Sequence, residues 1–411
     1  MKEIWIIQTG EPMPSDIGQR PMRAINLART LLKNGFKVKI ITSRFFHQKK
    51  IHRTRSYKRN IERDIEEIYI DSPGYKKNLG LARIYDHIIL ALNLHRYLKT
   101  QSEKPNMIFV GYPPIEFSYI AINWAYKNNI PSIIDIKDQW PNLFYEDRPI
   151  IIKIIMKLIF LPYDLMAKKL IIRSSSITAP TESYIKWALK KTNMVRRISD
   201  RPFPLVSNAL KVSKNNIKNV KNLDKLKKYF NILFVGSHMS VFDFKHVADA
   251  ARILKLNQDI KFIICGDGDY FESNKYLFKN LNNTIFPGWV DLDTYREYAS
   301  ISSCSIAPYK NISNYRDNIP NKVTDYLHFG LPILWSLKGE VNDLISNYKC
   351  GLTYEYDSGT DLSNKILKLR NSSKLTGYYS ENAISLYKSL FDKEKIYNNL
   401  VKHITKTISG L

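Results

Sequence analysis

At 411 residues, 44% of them hydrophobic, the chain is long for one domain and about right for two, each with its own core. Its net charge of +25 suits nucleic acid, anionic lipid or phosphorylated substrates, although the abundance of Ile, Asn and Lys matches an AT-rich genome and discounts about half of the excess. Cys265, Cys304 and Cys350 lack metal-ligand spacing and exclude a disulfide scaffold, which points to a reducing cytoplasm; no apolar run reaches the roughly 20 residues of a spanning helix, and residues 1–7 enter a strand directly, so no secretory signal is expected.

Residues 3–8, with IWII at their centre, are an expected strand. A loop comes next at 9–20 with Gly10 and Gly18, then an amphipathic helix at 21–34 with Met22, Ile25, Leu27, Leu31 and Leu32 apolar, stopped by Gly35 before a strand at 38–42. This unit opens a doubly wound sheet. Gly10 and Gly18 are not spaced as GxGxxG, so the usual dinucleotide fingerprint is absent and the turn alone explains them as well. Residues 45–60, FFHQKKIHRTRSYKRN, interleave basic and aromatic side chains. No recognised nucleic-acid fold surrounds them, and a solvated or lipid-facing loop is expected.

Strands at 67–70, 107–110, 132–135 and 176–179 alternate with helices at 82–100, 115–128 and 181–189. IDIKDQWP leaves the C-terminal end of the strand at 132–135, where open parallel sheets bind ligands, so Asp138 and Trp140 are candidates for contact with a sugar. Trp140 equally suits a core cap. Residues 150–161, IIIKIIMKLIFL, form a helix too short to span and apolar nearly all round, with Lys153 and Lys157 on one face. Such a helix is buried between layers or lies at a bilayer surface, and the basic first domain favours the surface.

PFPLVSN at 202–208 marks a crossover, and the basic stretch 211–228 reads as a surface linker or helix. The design then repeats: strand 231–236 (NILFVG), loop SHMSVFDF, helix 245–254, strand 261–265 with GDGD behind it, helix 271–280, strand 284–286, loop PGWVD and helix 295–300. Gly266 and Gly268 read as turn glycines. Residues 305–308 make a short strand and 309–318 a polar loop; a helix of about three turns then ends at Gly330, before Pro332 and a strand at 333–336. Pro320 is expected in the first turn with Asp317 or Asn318 as cap, which would turn the free N–H groups toward the loop as an anion seat. Lys322 in that turn opposes the helix dipole and suggests a nearby anion, though a solvated lysine explains it as well. Asp317 and Asp325 would lie roughly 10 Å apart along a helix axis, too far for one metal ion but suited to two hydroxyl-bearing groups of an extended ligand. Residues 386–411 read as one last helix.

PNKVTDYLHFGLPIL, with FVG, ICGDGD, FPGWV and IAPY before it, resembles family-4 glycosyltransferases of the GT-B fold, in a bacterial surface-polysaccharide branch, with the two glutamates of that family shortened to Asp317 and Asp325. The resemblance covers nearly the whole chain and is specific in the second half. It implies an α/β fold of two Rossmann-like domains facing across a cleft: 1–205 on the acceptor side, 206–385 for the nucleotide sugar, and 386–411 returning to the first domain. It places Asp325 on the ribose, Asp317 at the donor sugar, Trp289 and Val290 on the nucleobase, and Gly236 and Ser237 beside the diphosphate. GEPMPSDIGQRPMRA resembles the family's first loop, bringing Gly18 to the donor and Arg20 and Arg23 to phosphate or acceptor. Asp138 would serve acceptor or donor sugar, after Lys137 where many members have histidine. The usual Arg and Lys for the diphosphate are Ser237 and Phe242 here, so the charge is expected from Lys322 and Arg316, with Lys245 third.

The same resemblance implies retaining transfer from a nucleotide-sugar donor, UDP favoured, to a glycan or polyprenyl-linked acceptor, with no metal or other cofactor. The enzyme would be cytoplasmic and peripheral on an anionic membrane surface, without nucleic acid as a partner. The rival readings are a non-hydrolysing nucleotide-sugar epimerase of the same fold and a basic nucleic-acid-binding protein.

Overall fold

The computed structural model describes residues 1–13, 16, 21–53, 58–60, 65–77, 80–206 and 223–410. Two units divide the chain: Met1–Asn208 together with Lys393–Leu411, and Ala209–Asp392.

In the first unit, Ile- and Val-rich runs become strands because a parallel strand covered on both faces needs continuous apolar sequence. These are β1 (Glu3–Ile7), β2 (Lys37–Ser43), β3 (Phe45–Phe46), β4 (Ile51–His52), β5 (Lys58–Asn60), β6 (Ile65–Ile70), β7 (Met107–Tyr112), β8 (Ser132–Ile136), β9 (Ser176–Ala179) and β10 (Arg201–Pro202). The main sheet runs β10-β9-β8-β7-β1-β2-β6-β5, and among the described residues only β5 is antiparallel to its neighbour. Around it lie α1 (Arg23–Lys33), α2 (Leu81–Lys99), α3 (Ile115–Lys127), α4 (Ile150–Ile159), α5 (Leu161–Arg173) and α6 (Glu182–Thr192). Trp5 of β1 is fully buried and stacks on Trp124 of α3 at 5.4 Å between ring centroids. Strand order reverses between β1 and β7, which makes the carboxyl ends of those strands the switch point of the sheet.

One expectation for this unit changes in part, and one open alternative is decided. The basic stretch 45–60 is a solvated loop only in part where it is described: Phe45 and Phe46 are 5% and 3% exposed and β3 pairs with β4, whereas Gln48, Lys49, Ile51 and His52 are exposed. Arg53 is held by Asp16 at 2.7 Å and lies 4.7 Å over the Phe46 ring, so this part of the charge is neutralised inside the domain. Of the two placements open to α4, the exposed one that the sequence favours is found, and burial between layers is not. None of its residues is buried, and Ile150, Ile151, Leu158 and Ile159 are 66–70% exposed. The core position beneath is taken by α5, which packs on α3 and which the sequence pattern does not mark.

The second unit contains α7 (Leu223–Leu226), β11 (Phe230–Val235), α8 (Lys245–Ile253), β12 (Ile260–Cys265), α9 (Phe271–Leu277), β13 (Thr284–Gly288), α10 (Leu292–Ser300), β14 (Cys304–Ile306), α11 (Ser313–Arg316) and α12 (Asn321–His328). It continues through β15 (Ile333–Trp335), α13 (Glu340–Tyr348), β16 (Gly351–Thr353), α14 (Gly359–Arg370) and α15 (Ser373–Leu390). All six strands are parallel in the order β13-β12-β11-β14-β15-β16, so this sheet reverses between β11 and β14. The expected final helix 386–411 is in fact two: α15 ends at Leu390, and α16 (Lys393–Ile408) starts anew. α16 belongs to the first unit, where it covers α1. There the Tyr397 hydroxyl donates to the Val206 carbonyl at 3.2 Å, and His403 hydrogen-bonds Ser176 at 3.0 Å.

Candidate functional site

Each sheet presents its own candidate site at its switch point. In the second unit, β11 and β14 pair only at Ile232 with Cys304 and Leu233 with Ser305, and beyond that they part. Backbone groups left in such a fork need partners. Tyr326 of α12 supplies them: its buried hydroxyl accepts from the Val235 N–H at 3.2 Å and donates to the Ile306 carbonyl at 3.3 Å. Lys322 precedes Tyr326 by one helical turn, the i, i+4 relation, so the face that carries this lysine is the one aimed at the strand ends. The loops after β11 and β14 are joined above the fork, since Lys310 N–H donates to Val241 O at 2.9 Å and Asp243 N–H to Pro308 O at 2.8 Å.

Lys322 is the most closely defined member of this site. A Cβ built on Gly236 would meet its Nζ at 1.8 Å, so the ammonium occupies the space that glycine leaves at the end of β11. The Nζ also lies 5.3 Å from the ring centroids of Phe234 and Phe242. Phe242, where the family resemblance calls for lysine, therefore forms an aromatic wall for a cation that arrives from α12. Gly266 and Gly268 are structural, as the turn reading has it: a Cβ on Gly266 would strike Gly236 O at 1.9 Å and one on Gly268 would strike His238 O at 2.7 Å. The two loops pass each other at backbone distance.

The other candidates of this unit are spread more widely. Asp325 is 8% exposed. Ser237 lies next to Gly236 and is not buried. Trp289, 69% exposed, and Val290 come after β13, two strands from β11 and hence about 10 Å across the sheet from Gly236. Arg316 donates to Asn311 Oδ1 at 2.9 Å, and Lys245 is exposed at the start of α8. Contrary to expectation, neither Asp317 nor Asn318 caps the helix. α12 begins at Asn321, with Pro320 as N-cap and no side-chain cap, and spans eight residues rather than three turns; Asp317 instead ends α11. Proline's fixed φ suits either the cap or the first turn, and here it marks the boundary. An axial spacing for the two aspartates therefore has no meaning.

Sequence reasoning misses His238. It is fully buried, stacks on Phe244 at 5.3 Å and hydrogen-bonds Asn274 at 3.1 Å through Nδ1. Burial first, and the Lys322 ammonium second, push its pKa down to about 4, so it stays neutral next to that cation. No motif spacing marks it; only an aromatic-rich loop, SHMSVFDF, hints at packing.

In the first unit, a cavity of about 240 Å³ opens at the carboxyl ends of β1, β2, β7 and β8. Asp138 and Lys137 line it, with Glu11, Tyr75, Arg83 and His87, four residues that the sequence reading does not single out. The Lys137 ammonium pairs with Glu11 and donates to Gln8 Oε1 at 2.9 Å. Glu11 in turn accepts the Ala24 N–H at 2.8 Å, so it also caps α1, whose own N-cap residue makes no side-chain bond. Burial is the main cause that lowers the His47 pKa to about 3. Trp140 is half-buried, with the Arg83 guanidinium 5.0 Å over its ring.

Arg23 does not face this cavity as a phosphate or acceptor ligand. It is 3% exposed, pairs with buried Asp135 at 2.8 Å and donates to Phe203 O at 3.0 Å. Gly18 and Arg20 lie outside the described residues.

Residues 214–386 match the family described as Glycosyl transferases group 1. Among solved structures, sucrose-phosphate synthase (tll1590) from Thermosynechococcus elongatus is similar over 100% of both chains, with a TM-score of 0.76 at 12% identity. Anabaena Alr3699/HepE in complex with UDP-glucose is similar over 99% of this chain and 100% of its own, with a TM-score of 0.65 at 12% identity. A putative UDP-N-acetylglucosamine 2-epimerase from Listeria monocytogenes is similar over 100% of this chain and 98% of its own, with a TM-score of 0.61 at 12% identity. A sequence comparison with curated proteins finds no significant match. At such identities the structural likeness is one of fold, and the fold is GT-B.

Proposed function

We propose that this glycosyltransferase of the GT-B fold moves a sugar, with retention at the anomeric carbon, from a nucleotide-diphosphate donor bound by its second unit. The observation that carries the reading is the Lys322 ammonium against Gly236 at the fork of β11 and β14, where doubly wound sheets seat their ligands. As the nucleotide diphosphate leaves, charge builds on the β-phosphate, and Lys322 with the amino end of α12 meets it there. Arg316 is the second basic candidate. Asp325 accepts hydrogen bonds from the ribose, Asp317 contacts the donor sugar, and Trp289 and Val290 flank the nucleobase. UDP is favoured over GDP, in keeping with the UDP-glucose bound in the HepE structure. The acceptor attacks on the leaving-group face, so no protein nucleophile and no cofactor is assigned.

Thermal melting against a panel of nucleotide sugars tests this. A donor at 100 times its dissociation constant adds about 2.7 kcal/mol of stability, and Asp325→Ala should cost roughly 1.5–3 kcal/mol of donor affinity by removing a charged acceptor. No response to any UDP- or GDP-sugar, or an unchanged UDP affinity in folded Asp325→Ala, would sink the assignment. The epimerase reading shares the fold and predicts a different outcome: donor incubated alone would be interconverted to a second nucleotide sugar.

The acceptor side is assigned to the first-unit cavity around Asp138, with a glycan or lipid-linked acceptor of surface-polysaccharide synthesis, at the cytoplasmic face of a membrane. No helix among the described residues is long and apolar enough to cross a bilayer. The support for a peripheral mode is α4, whose Ile and Leu side chains stand exposed next to the basic Lys157. Lys153 is partly neutralised by Glu146 at 2.7 Å, so the apolar contact, at most about 1.5–3 kcal/mol per fully buried side chain, is the larger contribution. Wild-type protein should float with anionic liposomes at low salt, and an Ile151→Glu, Leu158→Glu variant should not. Failure of the wild type to float would remove the membrane from the proposal.

A further inference from the structure

Away from Lys322, the loop after β11, the first turn of α8 and the loop after β16 bring three metal-ligating side chains together. One carboxylate oxygen each from Asp243 and Asp357 and one ring nitrogen of His246 lie within 4.8 Å of one another. His246 is fully buried, and its Nε2 shares a 2.9 Å hydrogen bond with the Tyr354 hydroxyl. Its Nδ1 is buried and has no hydrogen-bond partner among the described residues. In the tautomer that donates Nε2–H to Tyr354, the lone pair falls on Nδ1, which is how a metal-bound histidine is usually oriented by its outer partner. Two carboxylates and a lone pair converging within 4.8 Å repel one another, although Asp243 Oδ1 accepts the Lys245 N–H at 3.1 Å, and a buried polar atom without a partner is unfavourable. A cation relieves both.

We propose that Asp243, His246 and Asp357 bind one divalent transition-metal ion, Mn²⁺ or Zn²⁺, which ties the loop after β11 to the loop after β16. The donor set argues for the class: imidazole nitrogen with carboxylate suits Mn²⁺ or Zn²⁺ better than the all-oxygen preference of Ca²⁺ or Mg²⁺. Donors on one such ion sit about 3–3.5 Å apart at metal–ligand distances near 2.0–2.2 Å, a closing that exposed Asp357 reaches by rotating its side chain. The neighbouring Asp249 is committed to Arg252 at 2.5 Å and is left out of the set.

The fold holds the two loops in register for this. α14 packs against α8 so tightly that a Cβ on Gly359 would meet Asp249 Cβ at 2.6 Å and His246 O at 3.0 Å. The helix that comes after Asp357 is thus pressed onto the helix that carries His246. The ion would do more than staple a surface. Asp243 comes directly after Phe242, whose ring lies 5.3 Å from the Lys322 Nζ, so the ion's hold on Asp243 also fixes the wall behind that lysine. The role assigned to the ion is structural.

The full chain, stripped with chelator and dialysed, is titrated with MnCl₂ while free Mn²⁺ is read by electron paramagnetic resonance, and its melting temperature is followed with MnCl₂ and ZnCl₂. One Mn²⁺ per chain, saturable binding and a raised melting temperature are expected. Asp357→Asn, at an exposed position that spares the fold, should weaken binding about tenfold or more, and His246→Gln should abolish it. The three cysteines are buried and do not compete for Zn²⁺ in the folded protein. Absence of saturable binding in the wild type, or equal affinity in Asp357→Asn, overturns the site. Neither result depends on which nucleotide sugar, if any, the enzyme uses.

Discussion

Lys322→Ala is expected to lower turnover of the nucleotide-sugar donor by about 10²–10³-fold while weakening donor binding far less. The reason is that the ammonium, placed at Gly236, meets charge that is small in the bound donor and large as the diphosphate departs, and only interactions that strengthen toward the transition state raise turnover. Gly236→Ala gives a second handle, because the new methyl would occupy the place of Nζ, 1.8 Å from it. A flexible lysine yields rather than breaking the fold, so this variant should melt normally yet lose part of the same turnover. Steady-state kinetics on both variants decide the matter. Equal losses in kcat and in affinity would make Lys322 a ground-state anchor, and no loss would remove it from the reaction.

Arg23→Met is expected to destabilise the first unit by about 3–5 kcal/mol. The cost comes from what is left behind: Asp135 is 1% exposed and would keep only the Thr178 hydroxyl, at 2.8 Å, as a side-chain donor among the described residues. An isolated carboxylate in that position takes up a proton or disrupts its surroundings. Replacing the pair together, Arg23→Met with Asp135→Leu, should recover much of the loss, since the penalty belongs to the unpaired charge and not to the absence of the pair. Urea midpoints for the three proteins measure this. A single variant within about 1 kcal/mol of wild type would show that water reaches Asp135.

Arg23 also shows why some of the site was not legible. Its partner lies 112 positions away, and nothing in the helix sequence RAINLARTLLK separates a buried arginine at its start from a solvated one. The strands were legible because IWII, NILFVG and KFIIC are continuous apolar runs that a doubly covered sheet requires, and the order of those runs already implied two repeats of one design. The position of Lys322 next to Gly236 was not, because it depends on how far α12 is advanced relative to β11. The same holds for Pro320, where fixed φ is compatible with two neighbouring helix positions and only the folded chain chooses. Asp357 is separated from Asp243 and His246 by most of the second sheet and its helices, so the spacing of that cluster carries no signature. For α4 the ambiguity was intrinsic, since an apolar periphery describes a core helix and an exposed one equally well.

Because α16 closes the first unit, the order in which the chain is synthesised matters. That unit needs residues 393–411, yet 184 residues of the second unit, 209 to 392, lie between. At a synthesis rate of about 5–20 residues per second, the amino-terminal sheet waits roughly 10–40 s for the helix that covers α1. Over that interval the surface awaiting Tyr397, Leu400 and Ile404, all buried in the finished fold, is open to solvent and to chaperones, while Ala209–Asp392 is contiguous and has no such wait. The usual amino-to-carboxyl order of domain maturation on the ribosome is therefore inverted here, and the domain that begins first finishes last.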